Sequence, residues 1–298
     1  MRFAKFHGYG NDYLVFEAGE LEAAGFPSGL APAGEVGRFG NFVRRVCDRH
    51  TGAGGDGVAT LERLASGAAD YRLRIFNADG SEAAMSGNGS RCAAAYLHHR
   101  RLWADEELRL ATRAGVKLYR LKEKVSPTRY RFEAETGRPV FDSDSIPFAA
   151  PAPLREVRGH ALALPDGRTV EVTALQMCNP NCVVFVEDFE RTDWRRLGAQ
   201  IEPHRQFPEK TNVEFVRVRD RENVEARVWE RGVGETLSSG TGACAAAVAS
   251  AVNDLTGRRV RVSMPGGTLE VLWREADGEV LLTGEAEAVY SGELFDAA

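Results

Sequence analysis

The chain has 298 residues, with 38 Lys plus Arg against 43 Asp plus Glu, a formal net charge of −5 and 43% hydrophobic residues. That length suits about two domains and buries a large core without disulfides or a structural metal, while the mild acidity argues against nucleic acid as the main partner. The five cysteines are too few and too scattered for a secreted disulfide framework, and Cys178 and Cys182 lack the second pair or nearby His of a zinc site. The N-terminus has no signal-peptide pattern and no run reaches the roughly 20 apolar residues of a membrane span. The expectation is a cytoplasmic protein with no membrane partner, no metal and reduced thiols.

In chain order, Phe3 to Phe16 reads as strand, loop, strand, broken at Gly8-Tyr9-Gly10-Asn11-Asp12. Glu17 to Gly37, rich in Gly, Ala and Pro, reads as a surface excursion before a helix around Gly40–Asp48. Tyr71 to Phe76 alternates as a strand with one polar face, followed by a turn at Asn77-Ala78-Asp79-Gly80. Ser86-Gly87-Asn88-Gly89-Ser90 then opens a run of helix formers, Cys92 to Leu97. Strands are expected around Leu108–Leu121, Tyr130–Glu135, Leu162–Val172, Gln176–Glu187, Val213–Arg219, Val224–Glu230, Val260–Met264, Leu269–Trp273 and Val280–Gly284. A domain boundary is expected near Ser126–Tyr130.

One pattern occurs twice. Ser86-Gly87-Asn88-Gly89 and Ser239-Gly240-Thr241-Gly242 each lead into an Ala-rich helix start carrying a cysteine, Cys92 or Cys244. Each follows a strand and an acidic turn, which points to a duplicated α/β architecture. A Gly-rich loop entering a helix offers free amides and the positive end of the helix dipole, a site for phosphate or carboxylate. Neither loop continues into the Gly-Lys-Ser/Thr of a phosphate loop. A G-x-G-x-x-G pattern does occur at Gly52-Ala53-Gly54-Gly55-Asp56-Gly57, but after an expected helix rather than a strand, so a dinucleotide site is not expected. Two small anion sites suit a small molecule bearing carboxylates.

These residues carry a family resemblance. His7-Gly8-Tyr9-Gly10-Asn11-Asp12-Tyr13, Arg49 to Gly57, and Phe76-Asn77-Ala78-Asp79-Gly80-Ser81-Glu82 through Gly87-Asn88-Gly89-Ser90-Arg91-Cys92 resemble the motifs of diaminopimelate epimerases. So do Asn179-Pro180, Thr211-Asn212-Val213 and Glu230 to Thr236. The resemblance runs from residue 7 to about 247. It implies an α/β (α+β) fold of two pseudo-symmetric domains, each a mixed sheet around a central helix, with the active site in the cleft between them. The domains would be residues 1–128, completed by about 283–298, and 129–282. It also implies a cofactor-independent epimerase that interconverts LL- and meso-diaminopimelate in lysine and peptidoglycan precursor biosynthesis, and a homodimer.

In that family one cysteine from each domain removes or returns the α-proton, a role suited to a thiol tuned near the operating pH. The matching catalytic positions here are Ser86 and Ser239. A hydroxyl is a far weaker acid and needs a strong neighbouring base. The family's Asn-Pro-His is Asn179-Pro180-Asn181 here, so a residue suited to assist proton transfer is also missing. The positions that match the substrate-binding set are Asn11, Asn77, Gly87, Asn88, Asn179, Asn212, Glu230, Arg231, Gly240 and Thr241. Arg231 is the natural bidentate partner for a distal carboxylate, and the Asn side chains suit ammonium and carboxylate groups together. Cys92 and Cys244 read as core packing, Glu82 and Glu235 as poor substitutes for the missing thiols, and His98 and His99 as exposed. Three readings stay open: an epimerase impaired at its acid/base pair, a diverged amino-acid racemase or isomerase, and a non-catalytic amino-acid-binding protein.

Overall fold

Two short apolar segments start the fold as a hairpin. Strands β1 (Arg2–Gly8) and β2 (Asn11–Glu17) pair antiparallel with Ala4 opposite Val15 and Gly8 opposite Asn11. Tyr9 and Gly10 turn the chain between them, both at positive φ (56° and 88°), the backbone that matches strand twist in a two-residue hairpin. The computed structural model describes residues 1–26, 33–65 and 67–295, with side chains of the second helix described from Gly37 onward. By contact, the chain divides into two units, Met1–Ala134 with Gly284–Ala298, and Glu135–Thr283.

The first unit continues through α1 (Ala18–Ala23) and α2 (Ala33–Cys47) to β3 (Gly57–Arg63), which returns parallel to β2. Helix α1 occupies part of the expected Glu17–Gly37 excursion, whose residues 27–32 lie outside the described residues; α2 begins well before the expected Gly40. Strand β4 (Tyr71–Asn77) runs antiparallel to β3 and is capped by the two-residue β5 (Glu82–Ala83). Helix α3 (Gly87–His99) follows, and β6 (Glu107–Thr112) returns parallel to β4. Strands β7 (Gly115–Lys124) and β8 (Arg129–Gly137) complete an antiparallel run.

The second unit repeats this order. Strands β9 (Val157–Ala163), β10 (Thr169–Gln176) and β11 (Pro180–Phe185) pair antiparallel in turn. Through α4 (Trp194–Ile201) the chain reaches β12 (Asn212–Val218), parallel to β11. An antiparallel β13 (Asn223–Glu230), a short β14 (Gly234–Thr236) and helix α5 (Gly240–Val252) follow. Then β15 (Arg259–Met264) returns parallel to β13, and β16 (Gly267–Trp273) and β17 (Val280–Glu293) close the run. Parallel crossover, hairpin, helix and parallel return thus occur twice in one sequence of pairings. The fold is the mixed α+β arrangement that the family resemblance implies, with the repeated order expected from the echo.

Helices α3 and α5 form the centre of their units. Residues Asn88 to Leu97 of α3 and Gly242 to Ser250 of α5 are all buried. A helix buried on every side is apolar all round, and alanine lets strands approach closely. Helix α3 packs on β1 through β4, and α5 on β10 through β13 with β15 and β16. Cys92 and Cys244 are fully buried in these helices, which places them in the core as expected, and burial pushes the Cys92 thiol up to about 12. The far end of α3 differs from expectation. His98 is half-buried with its ring 5.5 Å from Phe132, and burial lowers its pKa; only His99 is exposed.

The turn end of the first hairpin is held by charge. Asp12, 8% exposed, accepts two bonds from Arg49 at 2.8 and 3.0 Å and meets the Lys5 ammonium at 2.7 Å. Asp56 joins through Arg49 at 2.8 Å and through two reciprocal bonds in which the backbone N–H of each aspartate donates to the other's carboxylate. Burial works to raise the Asp12 pKa, but the hydrogen bonds from Arg49 and Lys5 prevail and hold the carboxyl well below the carboxylate range. A depressed carboxyl stabilises the fold above its unfolded pKa of about 4, and that stabilisation is lost as pH falls toward the folded value. Asp12→Asn, which leaves Lys5 its bond to the Gly54 carbonyl but removes its counter-charge, is expected to cost about 3 kcal/mol in urea unfolding at pH 7. The variant should also lose stability less steeply below about pH 4; equal acid limbs in the two proteins would exclude this role for Asp12.

Candidate functional site

The two echo loops fold into the same cap. Ser86 (φ −136°, ψ 123°) and Ser239 (φ −137°, ψ 126°) are the N-caps of α3 and α5, each side chain accepting from the third amide onward. The Gly89 N–H meets Ser86 Oγ and the Gly242 N–H meets Ser239 Oγ, both at 3.1 Å. Serine suits this position because its oxygen satisfies one of the orphan amides of the first turn. The other amides of each turn stay with the positive end of the helix dipole, so each half-site is a place for an anion.

Around Ser86 the first unit gathers Asn11 and Asn88. Asn88 Nδ2 donates to Asn11 Oδ1 at 3.2 Å, and Asn11 Nδ2 donates to Asp56 at 2.9 Å. Tyr13 Oη donates to Ser86 Oγ at 2.9 Å, so the serine oxygen accepts from both the phenol and the Gly89 amide. Two donors on one oxygen favour its more negative form. Gly89 is required by close approach: a Cβ there would lie 3.0 Å from the Tyr13 ring and 2.9 Å from Ile75. Gly87 leaves the loop next to Arg91, whose Nη1 would stand 3.8 Å from a Cβ at that position. Asn77 stands at the same end of the sheet, since Gly57 pairs with both Tyr13 and Asn77, but its side chain donates to Ser81 at 2.9 Å.

In the second unit, Asn179, Asn181 and Asn212 form a chain. Asn181 Nδ2 donates to the Asn179 carbonyl at 2.6 Å and Asn212 Nδ2 reaches Asn181 Oδ1 at 3.4 Å. Asn212 Oδ1 accepts the Arg231 backbone N–H at 2.9 Å. Arg231 is exposed, one guanidinium nitrogen donating to the Glu209 carbonyl at 3.1 Å. Thr241 Oγ1 lies 3.5 Å from Ser239 Oγ, and Gly240 faces Leu282, 3.2 Å from where a Cβ would be. Burial raises the pKa of Glu230.

Other candidates are engaged elsewhere. Glu82 pairs with Arg74 at 2.9 Å and Glu235 with Arg195 at 2.6 Å, so neither carboxylate is free to act as a base. Of the five cysteines only Cys178 is exposed, and its thiol donates to the Thr136 carbonyl at 3.1 Å. The G-x-G-x-x-G stretch follows α2 and leads into β3 rather than opening a helix, which is not the geometry of a dinucleotide loop.

Two residues of the half-sites escaped the sequence reading. Arg91 is 1% exposed, bonds Asn88, and leaves its Nε without a partner. Glu214 is fully buried and neither carboxylate oxygen has a hydrogen-bond partner. Its only signal was one acidic residue in the otherwise apolar start of Asn212–Val218.

A family model described as diaminopimelate epimerase matches residues 3–141 and 173–289. The chain is 41% identical over 293 residues to a diaminopimelate epimerase of Pelotomaculum thermopropionicum, covering 98% of each chain. It is 42% identical to one of Desulforudis audaxviator, covering 98% of this chain and 99% of the relative. Among solved structures, a hydroxyproline epimerase from Agrobacterium vitis superposes with a TM-score of 0.68 at 17% identity, covering 100% of this chain and 92% of that one. A phenazine biosynthesis protein of the PhzF family from Bacillus anthracis gives 0.65 at 14% identity, covering 99% of each; both likenesses concern the fold. Matched caps in two repeated units and full-length identity to named relatives lead to one assignment: the chain belongs to the diaminopimelate epimerase family and is an isomerase of the epimerase class.

Proposed function

We propose that this chain acts on diaminopimelate, moving a proton at the α-carbon between the LL and meso forms without a cofactor. Ser86 and Ser239 stand at the two acid/base positions, one from each unit. The observation that carries this reading is the equivalence of the two caps, which gives both positions the same backbone and the same helix-end field. Amides of the first turns would stabilise negative charge developing on the α-carboxylate as the α-proton leaves. Asn11, Asn77, Gly87, Asn88, Asn179, Asn212, Glu230, Gly240 and Thr241 are the proposed binding set, with Arg231 for the distal carboxylate. The setting is lysine and peptidoglycan precursor biosynthesis in the cytoplasm, as a homodimer.

The residue type at the two positions favours an impaired form of this chemistry. A serine oxygen stabilised by a phenol and an amide is still a far weaker acid than a thiol, and a general acid/base works best with a pKa near the operating pH. The binding set is thus expected to outlast the turnover, and the second reading is a protein that binds the amino acid with little exchange.

The test is α-proton exchange from diaminopimelate in deuterated water. The native chain is expected to exchange slowly, and Ser86→Cys with Ser239→Cys to accelerate exchange by about a hundredfold or more, the usual span of general acid/base catalysis. A double-thiol protein that binds diaminopimelate without exchanging its α-proton would remove the two-base reading. Arg231→Ala is expected to weaken diaminopimelate binding by roughly 30-fold, the loss of one charge-assisted contact of about 2 kcal/mol. Calorimetry on native and variant proteins measures this, and unchanged affinity would exclude Arg231 as the distal carboxylate's partner.

A further inference from the structure

The two half-sites share a cap but differ in what stands beneath it. Under Gly89 lies the ring of Tyr13, whose hydroxyl donates to Ser86. Under Gly242 lies the carboxyl of Glu214. A Cβ on Gly242 would sit 3.0 Å from Glu214 Oε1 and 3.1 Å from Ser239 Oγ, so carboxyl and hydroxyl flank the same glycine. Only a residue without a side chain lets a carboxyl come so near the first turn of α5.

Strand register explains how Glu214 reaches that place. On β11 and β12, Asn181 pairs with Asn212 and Val183 with Glu214. On β13, Val228 pairs with Glu214. Alternation puts Asn212 and Glu214 on one face of the sheet, while Val213 and Phe215 pack with Trp194 and Leu197 of α4 on the other. Glu214 therefore faces α5 with no solvent above it and no hydrogen-bond partner for either oxygen.

An unpaired carboxylate in such a place is costly, and the group is kept as the neutral acid instead. Burial, with Glu230 adding its charge, raises the Glu214 pKa well above the carboxylate range. The groups that bear on it are few. Glu230 stands on β13, the Cys182 thiol on β11 is itself raised by burial and then by Glu214, and α5 carries no charged side chain between Gly240 and Val252. The one cation of β13, Arg227, pairs with Phe215 and stacks on Phe189, so alternation puts it on the face opposite Glu214, where it does not offset a negative charge there.

We propose that Glu214 is a proton-holding positioning residue of the second half-site, its neutral carboxyl keeping the α5 turn free of negative charge. The turn then accepts a ligand carboxylate, or negative charge at position 239, only while that proton is in place. Ionised Glu214 and an anion at the turn exclude one another, so each raises the proton affinity felt by the other. The inference rests on the reading of the Ser239 turn as an anion-binding, acid/base position.

The carbon-13 carboxyl signal of Glu214, identified by its loss in Glu214→Gln, tests this without a ligand. It should remain that of the neutral acid at pH 7, and its titration should move up by at least about one pH unit in Ser239→Asp but not in Ser239→Asn. Both substitutes are good helix caps, so the comparison isolates charge. An ionised Glu214 at pH 7, or equal titrations in the two variants, would overturn the proposal. Calorimetry with meso-diaminopimelate from pH 6 to pH 9 reads the same coupling. Above the pH at which the carbon-13 signal shows Glu214 ionising, the affinity of the native chain should fall up to about tenfold per pH unit relative to Glu214→Gln; equal affinities for the two proteins above that pH would also overturn it. If diaminopimelate binds neither protein at any pH, the substrate assignment fails, and the Asp and Asn variants still decide the role of Glu214.

Discussion

Both units are built around a helix that water cannot reach, and a buried helix must find partners for its first amides within the protein. The serine N-caps answer that constraint, and the rest of the arrangement depends on them. Because Ser86 and Ser239 close the first turn with a side chain, glycine can occupy the next positions and bring strand residues up against the helix end. The same closure leaves a concentration of positive potential at each loop. The fold thus makes one demand on one residue at each loop: an oxygen that accepts from the first turn of the helix.

The two half-sites are equal in backbone and unequal in surroundings. In the first, a phenol donates directly to the cap oxygen, and an arginine with little exposure lies behind Asn88. In the second, an acid without partners lies behind the turn and a run of three asparagines leads away from it. An enzyme that takes a proton from one face of a carbon and returns one to the other needs groups of different protonation at its two ends. A duplicated fold with diverged support beneath each cap is a physical route to that inequality.

Much of this was legible in the residues. The echo of Ser86 to Gly89 in Ser239 to Gly242 announced the two caps, because Ser, Gly and Ala each have a specific role at a helix start. Most strands were readable from alternation, as at Tyr71 to Phe76. Glu214 was not, since alternation marks a polar residue in a strand as facing solvent, whereas β12 is covered by α5 on one face and α4 on the other. Arg91 was hidden for a similar reason: in a helix buried all round, no face is left for a charge, so a lone arginine resembles a surface residue. The engagement of Glu235 with Arg195, 40 residues earlier, is a tertiary fact that local pattern does not contain.

The last strand carries a consequence for the order in which the chain acquires structure. Residues 287–293 of β17 pair with β1, and the Met1 amine donates to the Leu294 carbonyl across a sequence separation of 293. The second unit is one contiguous stretch, Glu135–Thr283, whereas the first needs the chain's final residues. On a ribosome releasing the chain from its N-terminus, the second unit has all its strands before the first has its last. The first unit therefore waits for residues made after the whole of the second, and β1 lacks its β17 partner until residue 293 has been made. Unpaired edges of that kind are where chains pair wrongly, so the arrival of β17 also ends the period in which β1 is exposed.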